Sequence, residues 1–284
     1  MTATASIQDA EYQYVTGQGR PSFGALLASF EARSAAALAA PGCRPDLRYG
    51  PGPREVFDFF PASGTARGTL IYFHAGYWQS RDKSTFRFIA PAFTPLGLNV
   101  ALVNYPLCPS VSLDELLAAV RASIEPVARA AGDESLPLIF AGHSAGGHLA
   151  VELALAPPVT TPPVAGVIAL SGIYDLAPLV DTTLNRNLRL DAAAAARHSP
   201  LPRAHADCAN ALFAVGGAET PAFIEQSRQM CDAWQRAGNR AALEVTAQAD
   251  HFTLLEAFTA PAEDLHRQAA AFLDDVLNAI DSTR

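Results

Sequence analysis

In "TLIYFH" (69–74), "NVALVNY" (99–105), "LPLIFAG" (136–142), "VAGVIALS" (164–171) and "ALFAVGG" (211–217), apolar residues follow one another without alternating with polar ones. A strand with one wet face alternates with period two, so runs without alternation must be covered on both faces. "REVFDFF" (54–60) and "ALEVTA" (242–247) are further strand candidates, and helical segments fall between the runs at Lys83–Ala92, Leu113–Ala131, Ala145–Ala156, Pro221–Ala237 and Ala262–Ile280. Strand and helix taking turns in this way specify an α/β fold, with a mostly parallel central sheet flanked by helices.

The chain has 284 residues, 50% hydrophobic and 17% charged, enough to bury a large core, and is read as one domain over 1–284. Two stretches depart from the rhythm. Residues 1–20 read as a loose or clasping N-terminal arm, and about 174–210 as a lid-like insertion of short helices. A net charge of −8 opposes a nucleic-acid groove or an anionic membrane surface, both of which need clustered Lys and Arg. No run is long enough to span a bilayer. The start, "MTATASIQDAEYQY", lacks the basic and apolar regions of a secretory signal, and the four cysteines are scattered with no C-x-x-C pair, so a cytoplasmic protein with reduced thiols is expected. The expected partner is a small molecule, and a homodimer is left open.

"LPLIFAGHSAGGHLAVELALA" sets Gly142-His143-Ser144-Ala145-Gly146 between a buried strand and a helix. Small residues at 142 and 146 permit a sharp turn that lifts the Ser144 hydroxyl above the sheet, where the helix N-terminus faces it. Serine needs a base to act as a nucleophile. His251, in the loop after the last strand run, occupies that place; His143 would line the turn and His148 the following helix, while His198, His205 and His266 lie in the irregular segment and the last helix. Glu219, at the carboxyl end of "ALFAVGG", is the expected acid, with Asp175 as its rival at another strand end. No metal-ligand spacing is present, and neither a metal nor another cofactor is expected. The oxyanion of a tetrahedral intermediate would be met by the N–H of Ala145 and by "HAGYW", through Ala75 and Gly76, with Tyr77 as a third candidate. His74 is read as holding that loop.

With these parts in order, the chain resembles the kynurenine formamidase (arylformamidase) branch of the α/β-hydrolases, close to hormone-sensitive-lipase-like esterases. "HAGYWQSRDKS" is similar to that group's H-G-G-Y-W loop, "AGHSAGGHLA" to its nucleophile elbow, "LSGIYDLAPLV" to its S-G-x-x-D-L segment, "GGAETPAFIEQSR" to the segment carrying the acid, and "DHFTLLEAF" to its D-H-F box. The resemblance implies Ser144, Glu219 and His251 as a triad and N-formyl-kynurenine as substrate. A broad carboxylesterase acting on small acyl or aryl esters is the alternative; a non-catalytic scaffold fits poorly with a complete triad. Glu219 stands where the group usually has Asp. Ala75 replaces the first loop glycine, which would cost roughly 1 kcal/mol if that residue needed a positive φ. Tyr77, Trp78 and Tyr174 are candidate contacts for an aromatic substrate, and Arg81, Lys83, Arg186 and Arg189 for its amino-acid end.

Overall fold

A computed structural model describes residues 9–157 and 162–282. The strands are β1 (Arg44–Arg48), β2 (Val56–Phe60), β3 (Gly68–Phe73), β4 (Leu98–Val103), β5 (Leu138–His143), β6 (Val164–Leu170), β7 (Asn210–Gly216) and β8 (Ala241–Thr246). The helices are α1 (Ala10–Tyr14), α2 (Phe23–Ala37), α3 (Ala90–Phe93), α4 (Leu113–Ala122), α5 (Ile124–Ala130), α6 (Ala145–Leu155), α7 (Asn185–Leu188), α8 (Ala192–Arg197), α9 (Pro221–Arg236), α10 (Leu254–Thr259) and α11 (Asp264–Asp281).

The strands form one sheet in the order β1-β2-β4-β3-β5-β6-β7-β8. β2 runs antiparallel to β1 and β4, and all pairs from β4 to β8 are parallel. Every residue of β3, β4 and β5 is buried. Their side chains divide by pleat: Ile71, Phe73, Ala101, Val103 and Phe140 join one apolar cluster, and Leu70, Tyr72, Val100, Leu102 and Ile139 the other. Each fully buried Ile or Leu contributes roughly 2 kcal/mol of apolar transfer, which is why these runs do not alternate. The Leu98 end of β4 follows Gly97, whose φ of 78° turns the chain into the strand.

Every expected strand is present, shifted by no more than a residue or two, and β1 is an addition. "RPDLR" is polar and lies on the sheet edge with a bulge between Arg44 and Leu47, so its sequence carries no apolar run. The helix expected over Lys83–Ala92 is instead two 3₁₀ turns (Lys83–Thr85 and Arg87–Ile89) followed by α3. The single helix expected over Leu113–Ala131 is divided at Ser123, whose hydroxyl turns back to Val120 O at 2.7 Å, just before Pro126 removes a helical donor. Among the described residues no helix is long and apolar enough to cross a membrane.

α2 was not foreseen as an element. It packs on the turns at 83–89, where Ser34 Oγ donates to Thr85 O and accepts from Phe88 N–H, and Phe30 stacks on Phe88 at 4.4 Å. The described part of the N-terminal arm is a clasp. The Glu11 carboxylate accepts from the N–H and hydroxyl of Thr183, and the Gln18 amide donates to Thr220 Oγ1 at 2.6 Å.

Candidate active site

Ser144 stands between β5 and α6 at φ 57° and ψ −119°, a backbone region that costs an L-residue about 1–3 kcal/mol. The turn is pinned from both sides: Ser144 N–H donates to Leu170 O at 2.8 Å, and Ser144 O accepts from His148 N–H at 3.1 Å. The flanking glycines are required by proximity. A Cβ on Gly142 would lie 2.2 Å from Gly146 O, and one on Gly146 would lie 1.9 Å from Phe73 O at the end of β3. The elbow motif is thus the condition for β3, β5 and α6 to approach so closely.

Glu219 leaves the end of β7 and His251 follows β8. His251 Nδ1 lies 2.7 Å from Glu219 Oε2, and both side chains are almost wholly buried. The second carboxylate oxygen accepts from Ser171 Oγ at 2.5 Å and from Gly216 N–H at 2.8 Å. A carboxylate surrounded by donors requires a proton on Nδ1, which leaves Nε2 as the acceptor on the far side of the ring. The imidazole is held between Phe223 and His143, each with ring centroids at 4.5 Å. Burial first, and the neighbouring His251 second, hold the pKa of His143 well below the ordinary histidine value, so this ring adds no charge.

Ser144 and His251 both line a cavity of about 290 Å³; among the described residues no hydrogen bond joins them directly. Asp175 is turned elsewhere: its carboxylate accepts from Ala177 N–H at 3.0 Å and faces a groove bordered by Val180 and Ser199. Asp250, next to His251, is occupied by the N–H groups of Phe252 and Thr253. Of the acids that the sequence offers, Glu219 is the one that meets the imidazole.

The loop after β3 places its strain where the sequence did not suggest it. Ala75 stays outside the left-handed region, whereas Gly76, Tyr77 and Trp78 have φ of 130°, 50° and 60°. The missing first glycine therefore costs nothing. Gly76 cannot be replaced so easily, because a Cβ there would lie 2.2 Å from Ser80 O. The N–H groups of Ala75, Gly76 and Tyr77 donate to no other group among the described residues, and that of Ala145 is in the first turn of α6, where no intrahelical acceptor exists. His74 lies between Tyr105 and Phe86 at 4.2 and 5.9 Å, and burial lowers its pKa to about 4, the state of a neutral spacer.

The aromatic contacts need correction. Tyr77 lines the cavity, with its hydroxyl donated to Tyr14 O. Trp78 and Tyr174 do not line it, and both are completely buried. The positive φ of Trp78 swings its indole under the elbow, edge-on to His148 at 5.0 Å. Tyr174 lies against Gly172 and edge-on to Phe213 at 5.8 Å. The lid is also misplaced by the sequence reading. No residue of 174–210 lines the cavity; its outer wall comes from Val15 to Phe30. Gln18, Arg20, Phe23, Leu27 and Phe30 are therefore wall residues that sequence reasoning missed. Phe23, Leu27 and Phe30 repeat at i, i+4 and i+7, a helical apolar stripe that could have revealed them. Among the basic candidates, Arg81 lines the cavity, Lys83 is buried in ion pairs with Asp46 and Asp58 at 2.7 Å, and Arg186 and Arg189 are exposed on the insertion.

The model of a family described as alpha/beta hydrolase fold matches residues 70–255. Kynurenine formamidase of Danio rerio is 33% identical over 223 residues, which cover 74% of this chain and 75% of that protein. Kynurenine formamidase of Drosophila melanogaster is 30% identical over 235 residues, 78% of each chain. Among solved structures, a candidate thioesterase from Silicibacter sp. superposes with a TM-score of 0.78 at 29% identity, covering 92% of this chain and 96% of that one. A Pyrobaculum calidifontis esterase, at 18% identity and a TM-score of 0.69 over 93% and 95% of the two chains, shares the fold.

Proposed function

The chain belongs to the α/β-hydrolase-fold family, on its kynurenine formamidase-like branch, and from that membership we propose that it hydrolyses N-formyl-kynurenine to kynurenine and formate through an acyl-enzyme on Ser144. The observation that carries this reading is the His251–Glu219 pair at 2.7 Å, opening with Ser144 onto one small cavity whose wall includes Phe23, Phe30, Tyr77, Phe86 and Phe252. In this reaction Ser144 Oγ attacks the formyl carbon while His251 Nε2 takes its proton. The N–H groups of Ala145, Ala75 and Gly76, with Tyr77 behind them, receive the oxyanion as the carbonyl becomes tetrahedral. The C–N bond then breaks, and His251 returns the proton to the aniline nitrogen. An aniline leaves more readily than an alkyl amine, so a triad suited to esters manages this amide. Water, deprotonated by His251, attacks the formyl-serine ester and releases formate. A formyl group carries only hydrogen on its carbon, and the Ala75 methyl on the cavity wall fits so small an acyl group.

The test compares kcat/KM for N-formyl-kynurenine with that for a short-chain aryl ester. The formamide is expected to be the better substrate; a large preference for the ester would assign the chain to carboxylester hydrolysis. Ser144→Ala is expected to lower kcat by about 10⁵- to 10⁶-fold with folding intact, and retained turnover would remove Ser144 from the mechanism.

A further inference from the structure

We infer that Arg81 receives the carboxylate at the amino-acid end of the substrate and so sets the preference for acidic over neutral aryl substrates; this rests on the formamidase reading of the same cavity. Arg20 and Arg81 are the two permanently cationic side chains on the wall. Arg20 is already committed. Its guanidinium donates to Gly17 O, Gly19 O and Ala218 O at 2.8 to 3.0 Å, and Asp250 lies 3.6 Å away. Arg81 is exposed where it borders the cavity, and its guanidinium has no carboxylate and no hydrogen-bond acceptor among the described residues, while its backbone and stem are held. Its stem lies against the loop, with Cγ 3.0 Å from where a Cβ on Gly76 would be, and Cζ sits 5.3 Å over the Phe23 ring. Its carbonyl is held by Arg54 at 2.8 Å, and its φ is 73°. Asn or Gly would occupy that backbone region with less strain, so what Arg adds there is its side chain. A planar fork of donors resting on an aromatic face in the cavity wall, with no acceptor of its own, matches a carboxylate. A neutral ester would make no use of it.

The experiment measures kcat/KM of wild type, Arg81→Gln and Arg81→Lys on N-formyl-kynurenine and on formanilide, which has the same scissile bond without the carboxylate. Arg81→Gln is expected to lose about 10- to 100-fold on N-formyl-kynurenine, mainly through KM. On formanilide it loses only the smaller factor due to reduced packing on Phe23, and Arg81→Lys falls between. Equal losses on both substrates, or none on N-formyl-kynurenine, overturn the Arg81 assignment alone. A wild-type enzyme that leaves N-formyl-kynurenine intact overturns the formamidase reading, and the inference with it.

Discussion

Replacing Glu219 with Gln exchanges one oxygen for an amide nitrogen, and the surrounding donors dictate which one. The Oε1 position faces Gly216 N–H at 2.8 Å and the Ser171 hydroxyl at 2.5 Å. A backbone N–H cannot reverse its role, so the Gln oxygen must take that position and the NH₂ must face His251 Nδ1. The imidazole then accepts at Nδ1 and carries its proton on Nε2, toward Ser144. That tautomer cannot take the serine proton. The analogous Asp→Asn change in a serine-protease triad lowers kcat by about 10⁴-fold, a known case that sets the scale here, equivalent to about 5.5 kcal/mol of transition-state stabilisation. One amide hydrogen meets His251 Nδ1 and the second is left buried without an acceptor, so folding stability should fall by about 1–3 kcal/mol. Steady-state kinetics on N-formyl-kynurenine and an aryl ester, with thermal unfolding of the same preparations, measure both effects. Glu219→Gln retaining kcat within tenfold of wild type, or Asp175→Asn losing more, would refute the tautomer argument.

Phe23→Ala should raise KM more than it lowers kcat, because Phe23 packs on Phe252 at 4.1 Å in the cavity wall while the reacting groups stand elsewhere; unchanged KM would show that α2 does not bound the substrate. Acid should destabilise the fold well before carboxylates titrate. Burial depresses His74 to about 4 and His148 to about 3, against about 6.5 when unfolded. Between those values the unfolded chain binds protons that the folded chain does not, so stability present at pH 7 is lost as pH falls. Each histidine accounts for a loss of about 2 kcal/mol by pH 5. Urea midpoints at pH 7 and pH 5 measure it, and equal midpoints would contradict it.

The central sheet was legible because its strands are covered on both faces, and continuous apolar runs have no other simple use. The elbow was legible for a related reason: Gly142 and Gly146 are dictated by backbone contacts that any such turn must make. Glu219 and Asp175 both leave strand ends, so that position alone does not separate them, and the structure brings Glu219 to His251. What the sequence hid depends on direction and distance. Nothing in "GYW" states that Tyr77 and Trp78 adopt positive φ, so the sequence could not reveal that one ring meets the cavity and the other the core. Arg44–Arg48 was invisible because an edge strand needs no apolar side chains. The outer wall was missed because the helix at 23–37 was not read at all: its stretch is rich in Ala and Ser, and the stripe of Phe23, Leu27 and Phe30 stands out only weakly from it.

That wall lies in a separate part of the chain from the chemistry. The family match begins at residue 70, whereas the residues that roof Ser144 lie between 15 and 30. Changes along α2 would reshape the cavity while leaving in place the backbone contacts that make the elbow and the hydrogen bond that joins His251 to Glu219. Two relatives with near-identical matched segments can therefore present different chambers to the same serine. Similarity over that segment speaks for shared reaction chemistry and for the Arg81 side of the cavity, while divergence in the shape of the opposite wall should be sought at residues 15–30.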